Sequence, residues 1–180
     1  FLGGFTGPLE TMTPSIHEAA KLAVRQINEQ GGVLGQKLVM AQGDSTCLDV
    51  TAAVNAADRM VNTEAVTALV GPMCSGETIA AANTAAVPAG VLLLTPSATT
   101  PALTNLDDKD LVFRMLASDA YSGEALARIL KRRGVDKIAI SYVNNDYGRG
   151  FATALEASFT RKGGTVAASE AHEDGKADYR

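Results

Sequence analysis

The stretch that most constrains the fold is residues 66–101, which contains two short apolar runs, V-T-A-L-V and V-L-L-L. Each run leads into a small polar turn, G-P-M-C-S-G after the first and T-P-S-A-T after the second. Short apolar runs between turn signals are typical of strands buried in a parallel sheet. Ligands of open α/β sheets bind beyond the carboxyl ends of such strands. Because both turns are rich in Ser and Thr and poor in acids and bases, they favour half of a binding site over a catalytic centre.

Predicted strands and helices alternate through the first two thirds of the chain. Strands are predicted at residues 1–5, 37–42, 66–70 and 91–94. The helices between them are predicted to begin at Thr13, near Val50 and at Ser75. We expect Thr13, which precedes a proline, to be the N-cap of the first helix, and the Ser75 hydroxyl to cap the third.

After a short apolar segment at residues 111–115 the pattern restarts. Helices are predicted at residues 122–133 and 148–162, and strands at 137–143 and 165–171. The order predicts an α/β fold with doubly wound parallel sheets. We place the N-terminal lobe at residues 1–117, because its sheet is complete there, and the first part of a second lobe at residues 118–180. The second lobe has too few strands to close a core, so we expect it to be incomplete in this chain.

The composition excludes several classes of protein. The 180 residues are 46% hydrophobic and 20% charged, which is ordinary for a soluble globular chain. A net charge of −4 without a basic stripe argues against a nucleic-acid surface. No apolar run approaches the roughly 18–20 residues of a membrane span. The chain also lacks a Cys/His ligand cluster, a P-loop, a dinucleotide fingerprint and a G-x-S-x-G elbow, so we expect no metal, no cofactor and no enzymatic activity.

The two cysteines, Cys47 and Cys74, each follow a predicted strand through a short turn. Neighbouring parallel strands would bring both turns to one sheet edge, within reach of a disulfide. Such a bridge would contribute about 3 kcal/mol and would imply an oxidising compartment. From the spacing alone, a bridge and a pair of free cytosolic thiols are about equally favoured.

Neutral polar side chains remain at the strand ends, above all Ser75, Ser97, Thr99 and Tyr147. Hydroxyls and helix N-terminal N–H groups suit a small molecule that carries a carboxylate. Tyr147 offers an apolar ring with a polar tip, which is suited to packing against a ligand side chain. Each residue also has a purely structural interpretation: a cap for Ser75, turn chemistry for Thr99, and packing within its own lobe for Tyr147.

Five short motifs follow one another along the chain in a recognisable order: T-G-P at residues 6–8, A-V-R-Q-I-N-E-Q-G-G at 23–32, G-P-M-C-S at 71–75, T-P-S-A-T at 95–99 and D-Y-G-R-G at 146–150. Together they resemble the leucine/isoleucine/valine-binding family of type I periplasmic binding proteins, the solute receptors of ABC importers. The resemblance implies two Rossmann-like lobes that close on a ligand. Since such receptors are about twice this length, it also implies that the returning strands and the rest of the second lobe are missing here.

The resemblance assigns roles to individual residues. It implies that Ser75 holds a ligand carboxylate, that Ser97 and Thr99 hold carboxylate and ammonium groups, and that Tyr147 packs against the ligand. It also implies a Cys47–Cys74 disulfide and a periplasmic location.

The sequence departs from the family at one position of the expected pocket. Met12 stands where those receptors place an aromatic residue, so the apolar wall of the pocket is expected to differ in shape. Tyr121 and Asp119 are secondary candidates for the pocket rim. The acidic group that pairs with a ligand ammonium is expected from the missing part of the protein.

These observations predict an extracytoplasmic solute-binding receptor that binds a branched-chain or other amino acid and delivers it to the membrane permease of an ABC importer. Two alternatives stay open: a sensor on the same fold that reports to a signalling partner, and a receptor for aromatic acids or amides.

Overall fold

The computed structural model describes residues 1–175, an α/β arrangement in which all seven of the described strands pair in parallel. The strands are β1 (Leu2–Gly3), β2 (Gly43–Asp44), β3 (Ala68–Val70), β4 (Leu92–Thr95), β5 (Val112–Arg114), β6 (Lys137–Val143) and β7 (Thr165–His172). They form the ladders β1-β2, β3-β4-β5 and β6-β7. The predicted fold class is therefore confirmed.

The helices alternate with these strands. They are α1 (Thr13–Glu29), α2 (Val50–Asp58), α3 (Ser75–Ala81), α4 (Val87–Ala89), α5 (Asp119–Arg132) and α6 (Asp146–Arg161). Wider π-type turns continue α2 through Arg59–Thr63 and join α3 to α4 through Ala82–Ala86. A 3₁₀ turn, Pro101–Asn105, follows β4. Within residues 1–175, no helix is long and apolar enough to cross a membrane.

Two local predictions for the chain before β3 are wrong. The strand predicted at residues 37–42 is absent, and the paired residues are Gly43 and Asp44 instead. The reason lies in Asn28, whose side-chain amide bonds both the N–H and the carbonyl of Leu38, at 2.7 and 2.9 Å. The N-cap of α1 is Met12 rather than Thr13, because the Thr13 hydroxyl donates instead to the carbonyl of Gly4 at 2.6 Å.

The chain divides into two compact units. Unit 1 comprises Phe1–Ser97 and Asp108–Met115, and unit 2 comprises Ala98–Asp107 together with the chain from Leu116 onward. Residues 108–115 belong to unit 1 because β5 pairs with β4. The 98–107 segment belongs to unit 2, where its 3₁₀ turn packs against α6. The predicted lobe limits of 117 and 118 stay a prediction.

Unit 1 buries one face of its central sheet. Leu69 and Leu93, paired across β3 and β4, are fully buried, as are several alanines of α2 and of the helical segment that begins with α3: Ala53, Ala57, Ala81 and Ala82. On the opposite face, Val70, Leu92 and Phe113 are 37%, 39% and 48% exposed. Because parallel sheets are normally covered on both faces, we expect the layer over this second face to come from outside the described residues.

Unit 2 has its own core between α5, α6 and the β6-β7 ladder. Ala127, Leu155 and Phe159 are its buried centre. Gly123 lets α5 and α6 cross closely, since a Cβ there would lie 2.8 Å from backbone atoms of Ala154 and Leu155. The same helices are joined by an ionic cluster: the Lys162 ammonium and then the Arg161 guanidinium lower the pKa of Glu124 to about 2.

The loop after β3 requires glycine at its first position. Gly71 has φ +113°, and a Cβ there would overlap the carbonyl oxygen of Leu2. Gly90 also has a positive φ, +71°, but no atom lies within 4 Å of a Cβ placed on it. A side chain at either position would adopt a strained backbone conformation, but only at Gly71 would it also clash with a neighbouring atom.

We expect Gly71→Ala to lower the free energy of unfolding by roughly 3 kcal/mol or more, because the Leu2 carbonyl must move. The matched control Gly90→Ala should cost only about 1–2 kcal/mol, which is the penalty of the left-handed conformation. Urea unfolding of both variants measures the difference, and equal losses would contradict the steric argument.

His17 is a buried titratable side chain of unit 1. Its ring centroid lies 5.0 Å from that of Phe1 and 5.1 Å from that of Phe5. Burial first, and then the positive charge of Lys21, lower the pKa of His17 below its usual value of 6.5, against a smaller opposing effect of Glu18. The unfolded chain therefore binds a proton more readily than the folded one.

The His17 contribution to stability should be fully present above pH 6.5 and should fall as the pH drops from 6.5 through the lowered pKa. Urea unfolding at pH 7.5 and pH 5 measures this, with His17→Phe as the control that keeps the aromatic packing but cannot titrate. The variant should lose less stability than the parent between these pH values. An equal loss in both proteins would assign the pH dependence to other groups.

Candidate functional site

In unit 1 the site is built on residues 71–75, hereafter the Gly-Pro loop, which joins β3 to α3. The Thr78 hydroxyl lies 3.1 Å from the carbonyl of Pro72 and 2.8 Å from that of Cys74, within donating distance of both. Thr95, the last residue of β4, donates to the Pro72 carbonyl at 2.7 Å. Buried main-chain carbonyls need partners, so these two hydroxyls fix the path of the loop.

Met73 accepts a hydrogen bond from a further hydroxyl and lies close to a second. Ser97 donates from its hydroxyl to the Met73 carbonyl at 2.6 Å. The Thr13 hydroxyl lies 3.4 Å from the Met73 sulfur, which connects the start of α1 to the loop. Since a serine hydroxyl has a single proton, Ser97 donates it to Met73 in this structure. What Ser97 can offer a ligand is therefore its lone pairs and its main-chain N–H.

The loops after β1, β2 and β3 are tied together covalently and by hydrogen bonds. Cys47 and Cys74 form a disulfide with their Cα atoms 5.6 Å apart. The Asp44 carboxylate accepts hydrogen bonds from the Thr6 hydroxyl at 2.7 Å and from the N–H groups of Phe5 and Thr46 at 3.0 and 2.9 Å. Partial desolvation raises the pKa of Asp44, but these hydrogen bonds outweigh it and leave the pKa below the usual value.

One acidic side chain lies beside the disulfide. A carboxylate oxygen of Glu77 and the sulfurs of Cys47 and Cys74 are within 4.8 Å of one another. Because the two sulfurs are bonded to each other, they are not thiolates and cannot act as the anionic ligands of a zinc-type site.

Ser75 is the first residue of α3 and is only 2% exposed. Cys74 occupies the N-cap position, so Ser75 does not have the capping position that its sequence context predicts. The side chain instead belongs to the first helical turn, where main-chain N–H groups have no intrahelical acceptor. Met12 stands at the corresponding start of α1, with a side chain that is 58% exposed.

In unit 2 the structure brings together Thr99 and Asp119, which are 20 residues apart. The Thr99 hydroxyl donates to Oδ2 of Asp119 at 2.7 Å, and the Asp119 N–H donates to the Thr99 carbonyl at 2.9 Å. Asp119 is the first residue of α5 and only 5% exposed. Tyr121 lies in the same helical turn and is exposed.

The D-Y-G-R-G segment places Tyr147 at the start of α6. The Asn145 side chain caps the helix by accepting from the Gly148 N–H at 2.8 Å. A Cβ at Gly148 would overlap the Val143 carbonyl, and one at Gly150 would lie 2.7 Å from the Thr100 hydroxyl oxygen. Both glycines are thus required for the first turns of α6 to pack this closely. The Tyr147 ring is half exposed, with its centroid 6.4 Å from that of Phe151.

The predicted site residues therefore form two groups, one in each unit. The Gly-Pro loop connects Ser75 with Ser97, and the Thr99–Asp119 pair lies beside the turn that Gly150 of α6 contacts. Sequence reasoning missed Thr78 and Thr95, whose hydroxyls hold the Gly-Pro loop. Their only signal was the presence of hydroxyl residues next to the G-P-M-C-S and T-P-S-A-T turns.

A separate groove of about 470 Å³ lies between α1 and the segment before β2, and none of the predicted site residues lines it. Its lining is mostly charged and polar: Lys21, Val24, Arg25, Asn28, Glu29, Lys37 and Met40.

Comparison with known proteins identifies the family. The periplasmic binding protein family model matches residues 1–180. The leucine-, isoleucine-, valine-, threonine- and alanine-binding protein of Pseudomonas aeruginosa is 34% identical over 178 residues, which are 98% of this chain and 47% of that protein. This chain thus spans about half the length of the curated relatives that it matches.

Solved structures of substrate-binding proteins are also similar to this chain. The branched-chain amino acid transporter substrate binding protein LivJ of Streptococcus pneumoniae, in complex with isoleucine, has a TM-score of 0.84 at 28% identity, over all of this chain and 50% of that one. An ABC transporter substrate-binding protein of Desulfitobacterium hafniense in complex with Leu has a TM-score of 0.77 at 29% identity, over 97% of this chain and 50% of that one. With its parallel α/β fold and family motifs, this chain belongs to the periplasmic binding protein family.

Proposed function

We propose that the full-length protein is an extracytoplasmic solute-binding receptor of an ABC importer. Its ligand is a small molecule with a carboxylate, a branched-chain or other amino acid, which binds between two closing lobes. The named relatives support this assignment, since they bind such amino acids or were solved with them.

The observation that carries the proposal is the construction of the Gly-Pro loop. Hydroxyl groups and a disulfide hold the loop at the carboxyl end of parallel strands, and Ser75 opens a helix there. Main-chain N–H groups at a helix start attract an anion without a charged side chain. A pre-arranged neutral site of this kind binds a carboxylate and performs no chemistry on it.

Each candidate residue has a role in this proposal. Ser75 donates to the ligand carboxylate, Ser97 contributes its main-chain N–H, and Thr99 contributes its hydroxyl. Tyr147 and Met12 pack against the apolar part of the ligand, and Tyr121 and Asp119 belong to the pocket rim.

The proposed receptor works by closure and not by catalysis. A ligand that binds the closed arrangement of the lobes more tightly than the open one shifts the population toward the closed form. Hinge closure around a ligand is the usual motion of such receptors. The importer's membrane permease then takes the ligand from the closed receptor.

The proposed location is the periplasm. The Cys47–Cys74 disulfide supports it, because structural disulfides persist in oxidising compartments and are rare in the cytosol.

The first test is a thermal-shift screen of the full-length protein with leucine, isoleucine, valine, other amino acids, aromatic acids, amides and sugars. A ligand at 100 times its dissociation constant adds about 2.7 kcal/mol of stability. We expect branched-chain or other amino acids to raise the melting temperature by a few degrees. Stabilisation only by acids without an ammonium group would mean that the ligand is a carboxylic acid other than an amino acid. No shift with any compound would contradict the proposal that the protein is an amino-acid receptor.

The second test addresses Ser75. If its hydroxyl donates to the ligand carboxylate, Ser75→Ala should weaken leucine binding by about 1–3 kcal/mol in titration calorimetry. Ser45 offers a matched control in the same unit: it is fully buried, and its hydroxyl has no hydrogen-bond partner among the described residues. Ser45→Ala should leave leucine affinity unchanged. Unchanged affinity in Ser75→Ala, with the fold intact, would limit Ser75 to a structural role.

A further inference from the structure

The disulfide has a third chemical neighbour, the carboxylate of Glu77. One Glu77 oxygen and the sulfurs of Cys47 and Cys74 all lie within 4.8 Å of one another. Glu77 is only 6% exposed, whereas the two cysteines are partly accessible to solvent. Cys74 is the N-cap of α3 and Glu77 lies in its first turn, while Cys47 comes from the loop after β2. A search for Cys and His alone misses this group, since its third member is an acid.

The oxidised and the reduced protein differ in what these sulfurs can bind. A disulfide sulfur carries no charge, whereas a thiolate is a strong metal ligand. Reduction by a dithiol transfers two electrons and two protons to Cys47 and Cys74, breaks the S–S bond and leaves the reductant as a disulfide. A divalent cation then displaces both thiol protons, because a coordinating thiol is deprotonated. Two thiolates and one carboxylate therefore become available together.

The spacing of the three groups fits a tetrahedral ion. With bonds of about 2.3 Å to sulfur and 2.1 Å to oxygen, the ligand atoms of a tetrahedral zinc ion lie about 3.6–3.8 Å apart. Once the S–S bond is broken, the two sulfurs have to separate to that distance. The Glu77 oxygen, at most 4.8 Å from either sulfur, has to approach by about 1 Å. Side-chain rotations cover displacements of this size.

We expect both cysteines to stay in place without the disulfide, because other hydrogen bonds hold their loops. In the loop after β2, the Thr46 hydroxyl accepts from the N–H groups of Leu48 and Asp49 at 3.2 and 3.0 Å. On the other side, the Thr78 hydroxyl lies 2.8 Å from the Cys74 carbonyl. Reduction therefore leaves the two thiols close together, and an ion that binds them does not have to reorganise either loop.

The donor set determines the kind of cation. Two thiolates and one carboxylate suit Zn²⁺, whereas Ca²⁺ and Mg²⁺ require oxygen ligands. Three protein ligands leave the fourth tetrahedral position to a water molecule, which can reach the ion from the accessible side of the cysteines.

We propose that the reduced protein binds one Zn²⁺ ion through the sulfurs of Cys47 and Cys74 and the carboxylate of Glu77. The ion then joins the loop after β2 to the Gly-Pro loop in place of the disulfide. The site has two mutually exclusive states: a covalent bond under oxidising conditions, and a metal bridge while both cysteines are reduced. This inference goes beyond the proposed receptor function and does not depend on which ligand the receptor binds.

The test is metal binding by the full-length protein, reduced with a phosphine and desalted before use. Competition with a chromophoric chelator should give one Zn²⁺ ion per chain for the reduced protein, and binding should be lost after oxidation. Co²⁺ in place of Zn²⁺ should show the near-ultraviolet thiolate-to-metal charge-transfer band and the intense visible bands of a tetrahedral ion. An excess of Ca²⁺ should not displace either metal.

Variants identify the ligands. Changes to groups that only orient a metal ligand cost about 10–100-fold in metal affinity, so removal of a ligand should cost at least about tenfold. Glu77→Gln keeps the size of the side chain and should weaken Zn²⁺ binding to the reduced protein by that amount, and so should Cys47→Ser. Glu10, an exposed glutamate of the same unit, is the control. Glu10→Gln should leave the Zn²⁺ affinity unchanged.

Three results would overturn the inference. They are equal Zn²⁺ affinity in Glu77→Gln and the reduced wild-type protein, equal affinity in the oxidised and reduced proteins, and a Co²⁺ spectrum without the thiolate band. The spectrum is measured on the wild-type protein, so it decides the sulfur ligands even if a variant fails to fold. None of these results bears on amino-acid binding, which the thermal-shift screen tests separately.

Discussion

The structure of unit 1 depends on the fixed path of the Gly-Pro loop. Only glycine fits at position 71, because the Leu2 carbonyl fills the space that a Cβ would occupy. Thr78, Thr95 and Ser97 then satisfy its carbonyls, and the disulfide fastens Cys74 to the loop after β2. A loop with its carbonyls bound in this way holds Ser75 and the start of α3 in one arrangement. That is the condition for binding a small anion without paying for loop ordering.

The two units differ in the groups that the hydroxyls of their candidate site residues bond to. In unit 1 the Ser97 hydroxyl donates to a main-chain carbonyl of the Gly-Pro loop, whereas in unit 2 the Thr99 hydroxyl donates to the buried Asp119 carboxylate. The exposed apolar face at Val70, Leu92 and Phe113, and relatives of about twice this length, both indicate that the complete protein adds structure to what is described here.

Much of the fold followed from periodicity and turn residues, but the details of the site did not. The runs at residues 66–70 and 91–94 predicted β3 and β4 because buried parallel strands are continuously apolar. The strand predicted at residues 37–42 was wrong, since hydrogen bonds from the Asn28 side chain to the Leu38 main chain replaced the strand pairing. No local sequence pattern reports such bonds. The motifs singled out Ser75 and Thr99. They could not tell that Cys74 would be the N-cap or that the Thr99 proton would be directed at Asp119.

The central proposal is that the Gly-Pro loop and the start of α3 bind the carboxylate of an amino-acid ligand. It is tested most directly by a crystal structure of the full-length protein with bound leucine. We expect the leucine carboxylate within hydrogen-bond distance of Ser75 Oγ. A bound leucine with its ammonium group on Ser75, or with its carboxylate away from the Gly-Pro loop, would contradict the proposal.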